Sequence, residues 1–406
     1  MLIAPMALFT GKHLWSMPAL RWAAAVIALA MASSGCAEQL TGGIGCSMCR
    51  TPAAVKPATP TIITQGKFFA TGDMLTPRNG HIATLLDDGR VLIAGGEAPE
   101  PVGIMGQFAQ LRSAEIYDPE KRKFEATDSM RSARQALAAV LLRDGNVLFV
   151  GGPDAEIYDA RRGRFVPTGN PIDEITSPLA VMLKDGNVLV CGVRGTSCEI
   201  YFSKVGKFRE TSHTHGGGTI NPILLPDGRV LIGVRYMDYY YPGFYFEIFD
   251  PETETFRVLP GQHSSLGFAI RLDDGRIFLG SEFFDPVTDT FTNADGFPKG
   301  NSVTLLQSGK LLLAGGSSTC NAPTSPQGGP RLGSGIAAAV VWACLPPPPT
   351  AQAWLYDTQT QTQVEIEDMN VARRGQTATR LKDGSVLLAG GRSTEAILSS
   401  AEIYVP

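Results

Sequence analysis

From about residue 80 onward the chain repeats one pattern: a short apolar run, a polar turn, and a second apolar run. The turns are Asp88-Gly89, Asp144-Gly145, Asp185-Gly186, Asp227-Gly228, Asp274-Gly275, Ser308-Gly309 and Asp383-Gly384. Asp-Gly between apolar runs predicts a hairpin, because glycine takes up the positive φ of a tight turn. Flanking runs such as 82–86 and 91–94 are nearly continuous in apolar character, so strands buried on both faces are expected. A third run ends each unit in an aromatic residue, as in Glu115-Ile116-Tyr117-Asp118-Pro119. In five units a second aromatic follows at a fixed offset, giving Tyr117/Phe124, Tyr158/Phe165, Tyr201/Phe208, Phe249/Phe256 and Phe284/Phe291. A constant offset across a turn keeps both rings in register on adjacent strands, where they can pack between neighbouring sheets.

Seven such units in order are the signature of a repeat architecture. Hydrophobic strand, Gly-Gly, Tyr and a spaced aromatic together resemble the kelch repeat. The diglycines are Gly95-Gly96, Gly151-Gly152, Gly315-Gly316 and Gly390-Gly391, whereas three units keep only Gly192, Gly233 and Gly280. Phe stands where the family usually has Trp, and unit six has Tyr356 but Gln363 in place of its partner. The resemblance implies an all-β, seven-bladed kelch-type β-propeller over residues 66–406. The last unit ends at Pro406 without a fourth strand, and residues 67–74 carry a matching one, with Phe68 and Met74 placed much as Phe124 and Met130 are. An N-terminal strand is therefore expected to complete the last blade and leave no open edge.

The first 36 residues read as an export signal. Lys12, His13 and Arg21 precede an apolar run too short to span a bilayer, followed by Ser33-Ser34-Gly35-Cys36. This end resembles a bacterial lipobox with Cys36 as the lipidated residue; plain cleavage and secretion is the alternative. Residues 37–65 are rich in Pro, Thr and Ala and are expected to form a tether of roughly 30 Å. The other six cysteines fall into sequence-local pairs, Cys46/Cys49, Cys191/Cys198 and Cys320/Cys344, which in an exported protein read as disulfides. Cys46-Ser-Met-Cys49 also admits a redox pair or half a zinc site, but there is no second such motif to complete one.

Composition narrows the function classes. The 406 residues carry 35 basic and 39 acidic side chains, a formal charge of -4, which argues against a nucleic-acid partner. With 44% apolar and 18% charged residues, the chain has ample material for a large core. A monomer attached to a membrane only through lipid, or a soluble secreted one, is the expected state.

The family's architecture implies that the Asp-Gly turns lie on one face. The loops entering each blade and those joining its second and third strands lie on the other. Arg78, Arg134 and Arg373 each stand four residues after a methionine in entry loops of blades that become neighbours on closure. Three guanidiniums there suit an anionic ligand, or alternatively hydrogen bonds that lock the ring. His213, His215 and His263 fall in the entry loops of units four and five and could form a zinc or copper shell, or be ordinary loop residues. Tyr239 and Tyr240 lie nearby and are counted as ligand-binding candidates. The scaffold is shared with the copper radical oxidases, but no Tyr directly precedes a His here, so their ligand pattern does not carry over. No cofactor is predicted, with copper or zinc as the open possibility. An insertion over 317–350 separates two strands of unit six. Closure by Cys320–Cys344 would stabilise it by about 3 kcal/mol, and the apolar run 336–342 makes it a possible lid or partner contact. These features point to an exported binding module for a protein or glycan of the cell envelope. The alternative is an oxidase- or epimerase-like enzyme acting on carbohydrate.

Overall fold

The computed structural model describes residues 66–406 except 100–107, 136–137, 153, 174–176, 193–195, 218–219, 236–243, 262, 264–267, 295–296, 298–301 and 318–347. Among the described residues there are seven four-stranded antiparallel sheets and no helix. Each sheet is one repeat unit, so the chain is a seven-bladed all-β propeller. Blade one shows the plan: Ile82–Leu85 innermost, then Val91–Ala94, Ala114–Asp118 and Lys123–Ala126 at the rim. The second strands are buried at every residue in blades one, two, three, six and seven, in keeping with their unbroken apolar character.

Blade seven is built from both ends of the chain. Lys67–Ala70 pairs antiparallel with Ala401–Val405, setting Phe68 opposite Tyr404. Their rings lie 5.0 Å apart. The five ring pairs expected from spacing form the same contact, at 4.8 Å for Tyr117/Phe124 and Tyr201/Phe208 and 5.0 Å for Tyr158/Phe165. Phe68/Tyr404 is thus the same pair assembled from residues more than 300 positions apart.

The core is divided among the blade interfaces. Seven clusters of buried apolar side chains each draw on two neighbouring blades; one joins Leu92 and Ile116 of blade one to Phe149 and Tyr158 of blade two. Polar contacts repeat across three interfaces. Thr71, Thr127 and Thr168, each just past an outer strand, share 2.7 Å hydrogen bonds with Tyr117, Tyr158 and Tyr201 of the next blade. Blade five carries Phe284 where these tyrosines stand, and the residue facing it from blade four is Leu259. At that interface both hydroxyls are absent and the contact is apolar.

Cys191 and Cys198 form a disulfide between the second and third strands of blade three, both cysteines buried. Cys36, Cys46, Cys49, Cys320 and Cys344 lie outside the described residues, as do the segments expected to be an export signal and a tether, and most of the 317–350 insertion. Not anticipated from the pattern was a small hairpin, Glu97–Pro99 with Phe108–Gln110, that extends the second-to-third connection of blade one.

Glycine has two separable roles here. Gly275, in an Asp-Gly turn, has φ of 89° and open space where a Cβ would stand, with nothing within 4 Å. Gly96, in a diglycine, has φ of 87° and would set a Cβ 2.7 Å from the Asn79 carbonyl oxygen and 2.9 Å from the His81 amide nitrogen. Gly275→Ala should therefore cost only the left-handed strain, about 1 kcal/mol. Gly96→Ala must also push backbone aside, so its loss of stability in denaturant titration should be at least twice as large. Equal losses would refute this account of the diglycine.

Candidate functional site

The loop-rich face rests on buried carboxylates. Two residues before the aromatic of the third strand stands Glu in six blades (Glu115, Glu156, Glu199, Glu247, Glu282 and Glu402) and Trp354 in blade six. The glutamates turn toward the entry loop of their own blade and accept its hydrogen bonds. Glu115 accepts from the amides of Leu75 at 2.6 Å and Thr76 at 3.0 Å. Glu199 accepts from those of Ile172 and Asp173, and Glu402 from those of Asn370 and Val371. A loop with no regular partner thereby has its amides satisfied.

The Met-to-Arg spacing gains its meaning here. In the strap entering blade one, Met74 packs back on the preceding blade, its methyl group near Gly390. Arg78 latches forward onto the new blade, donating to Gly95 O, Ser113 O, Ser113 Oγ and Glu115. Arg373 repeats the constellation with Gly390 O, Ser400 O, Ser400 Oγ and Glu402. Arg134 does so with Gly151 O, Asp154 and Glu156. Arg78 and Arg373 have no exposed surface and Arg134 almost none. Burial lowers the pKa of Arg78 and Arg373 from the usual arginine value, with the paired glutamate opposing. It raises that of Glu156 against the Arg131 amide and Arg134. The donors of these three guanidiniums thus point into their own blades.

The histidines take up the same carboxylates in blades four and five. His215 offers its amide and Nδ1 to Glu247, at 2.9 and 3.1 Å, while its ring stays exposed. His263 sets Nδ1 2.6 Å from Glu282 and is buried against Phe246 and Phe291, leaving Nε2 without a partner. His213 is exposed. Among the described residues no group of three His, Cys, Asp or Glu is placed to hold a metal ion, so this set does not fit a zinc or copper shell. Tyr239 and Tyr240 lie outside the described residues.

Side chains that the clamps leave exposed were missed by sequence reasoning. Leu75 and Ile172, whose amides are held, are 61% and 57% exposed. Arg131 and Asn370 occupy the matching positions in blades two and seven and are also exposed. The recurring Glu was visible in the sequence; the outward direction of its loop partners was not. On the opposite face a cleft of about 470 Å³ between blades three and four is lined by Lys184, Asp185, Asp227, Arg229, Asp250 and Glu252. Arg229 is held there by Asp227 and, bidentately, by Asp289 of blade five.

Two outcomes follow. Glu115→Ala would leave the buried Arg78 charge and two loop amides unpaired, so denaturant titration should show a loss of about 3–5 kcal/mol. His81, buried beside Arg78 with Nε2 2.9 Å from Thr377 Oγ1, is held neutral. Burial, then repulsion from Arg78, lowers its pKa from 6.5 to about 3. The unfolded chain therefore binds a proton there that the folded chain refuses, and the stability His81 contributes is lost as pH falls from 6.5 toward 3. His81→Gln, copying Gln376 at the matching position of blade seven, should flatten the stability profile in that window. An unchanged slope would show that His81 is not the group responsible.

No family model matches the chain, and no curated protein matches it. Among solved structures it is similar to a fungal alcohol oxidase of the AA5 family in complex with copper, with a TM-score of 0.58 and 13% identity. The match covers 84% of this chain and 76% of that one. At this identity the likeness shows the propeller scaffold alone.

Proposed function

We propose that the chain is an exported, lipid-anchored kelch-type propeller that binds a protein or glycan of the cell envelope through its loop-rich face. Cys36 is the lipid site in this reading and the propeller is a monomer. The observation that carries the proposal is the clamped display of exposed side chains. Buried carboxylates fix the backbone at Leu75, Arg131, Ile172, His215 and Asn370, while those five side chains face solvent. Fixing a contact residue before binding removes part of the ordering cost that association otherwise carries. Two large apolar side chains held in this way have no role in the core.

A carbohydrate-active enzyme on the same scaffold is the rival reading. It draws on the likeness to a copper-bound oxidase, and the described histidines lend it less, since two of them act as clamp partners.

The test uses a Cys36→Ala chain, which removes the lipid, cosedimented with cell envelopes of its host. Leu75→Glu combined with Ile172→Glu should reduce retention about tenfold or more, as expected for residues at the centre of a contact. Val287→Glu, at a residue 90% exposed on the opposite face, should leave it unchanged. Equal retention of all three proteins would overturn the assignment of the binding face.

A further inference from the structure

The arginines that the sequence left between an anion and a structural role are enclosed by their own blades, yet the same sector of the loop-rich face carries others. Arg392 lies in the second-to-third connection of blade seven, Arg112 in that of blade one, and Arg131 in the entry loop of blade two. Among the described residues none of the three forms an ion pair. The Asp-Gly face behaves differently: Arg90, Arg229 and Arg276 each pair with the aspartate of their own turn. These arginines on the loop-rich face are thus left without a directly paired acid, although acidic residues such as Glu97 and Glu395 share their connections.

Arg392 is also positioned. Its amide donates to Arg374 O at 2.8 Å and its carbonyl accepts from Arg374 N at 3.1 Å. On either side, Leu398 N bonds Gly391 O and Ser393 N bonds Ala396 O. The guanidinium carbon stands 5.4 Å from the ring centroid of Phe108, on the small hairpin of blade one. Nε is buried without a partner, which leaves the two terminal nitrogens as the accessible edge. A guanidinium stacked on an aromatic ring and open at that edge matches a carboxylate end-on. Phe108 keeps 39% of its surface exposed beside it, an apolar platform suited to the C–H face of a sugar ring. Arg112 and Arg131 extend the cationic character into the next blade, for Met130 N bonds Arg112 O at 2.8 Å and Arg131 follows directly.

We propose that Arg392 and Phe108, with Arg112 and Arg131 alongside, bind an acidic saccharide through its carboxylates. This names the ligand class for the binding face proposed above and rests on that reading. The probe is a short oligogalacturonate, titrated calorimetrically into the purified full chain. Its methyl ester, which keeps the rings and removes the charge, and hexaglutamate, which keeps the charge and removes the rings, are titrated in parallel.

Saturable binding of the free acid is expected, weaker by about tenfold in the ester and in Arg392→Gln, the loss expected for one paired charge-assisted contact. Arg392→Lys should recover only part of it, because lysine lacks the planar fork. Arg161→Gln, at an exposed arginine on the opposite face, should leave binding unchanged. Thermal melting of each variant separates lost binding from lost fold. Ester binding as tight as the acid, indifference to Arg392→Gln, absence of binding, or preference for hexaglutamate would each overturn the proposal. Envelope retention sensitive to Leu75 and Ile172 would still stand in those cases, so failure of the ligand class is distinguishable from failure of the binding face.

Discussion

Every blade here has two apolar faces, and that one constraint determines the rest. A sheet with residues such as Val91, Leu92, Ile93 and Ala94 all enclosed cannot be stable with either face in water. Each blade needs a neighbour on both sides, and the seven clusters of the core are accordingly seven interfaces. Only a closed ring satisfies the first and last blades together. The pairing of Lys67–Ala70 with Ala401–Val405 is therefore what allows the other interfaces to exist as a set. The Phe68/Tyr404 contact reproduces at the seam the ring pairing found within blades one to five. Tyr404 is enclosed enough that burial raises its pKa to about 12.

Once the core lies between blades, the two faces of the disc are left to the connections. The faces are fixed by different means. On one, each Asp-Gly turn is stabilised within itself, the aspartate accepting the amide two residues on, as Asp88 does from Arg90. On the other, longer connections have no such local solution and are held by the buried glutamates. A fully enclosed Arg–Glu pair adds little net stability over an apolar substitute, but it fixes one loop conformation, and here it recurs in three blades with the same acceptors. The polar interior thus acts as a frame for the face.

How much of this could be read from residues alone depended on whether the cause was periodic. The hairpins and the aromatic pairs were legible because each recurs at fixed offset, seven and five times, and the closing strand because it matches the one the last unit lacks; repetition makes a weak local preference decisive. The Cys191–Cys198 disulfide was legible from adjacency. The direction of the arginines was not. Met followed by Arg four positions later was plain in three units, but the same fork serves a ligand or a backbone, and only the positions of Gly95 O, Ser113 and Glu115 show where the Arg78 donors point. The hairpin bearing Phe108 had no repeat to announce it. Arg392 gave no signal because its character comes from what surrounds it: a ring from another blade and, among the described residues, no ion-pair partner.

The histidines show why a shared scaffold does not transmit chemistry. In blades one, two and seven the buried glutamate meets an arginine; in blades four and five it meets His215 and His263. A histidine in that position already has its Nδ1 committed, and whether Nε2 can serve a ligand depends on the loop around it. For His263 the surroundings are Phe246, Phe291 and the backbone at Gly261, which would have to move before any ion reached the ring. The constraint that holds the loops in register therefore competes with metal binding at the very residues that sequence composition marks as metal ligands. Side chains that the clamps leave exposed are under no such competition. Side chains such as Leu75, Ile172 and Arg392 can therefore vary, and with them the ligand of the binding face proposed here, while the seven interfaces beneath stay as they are.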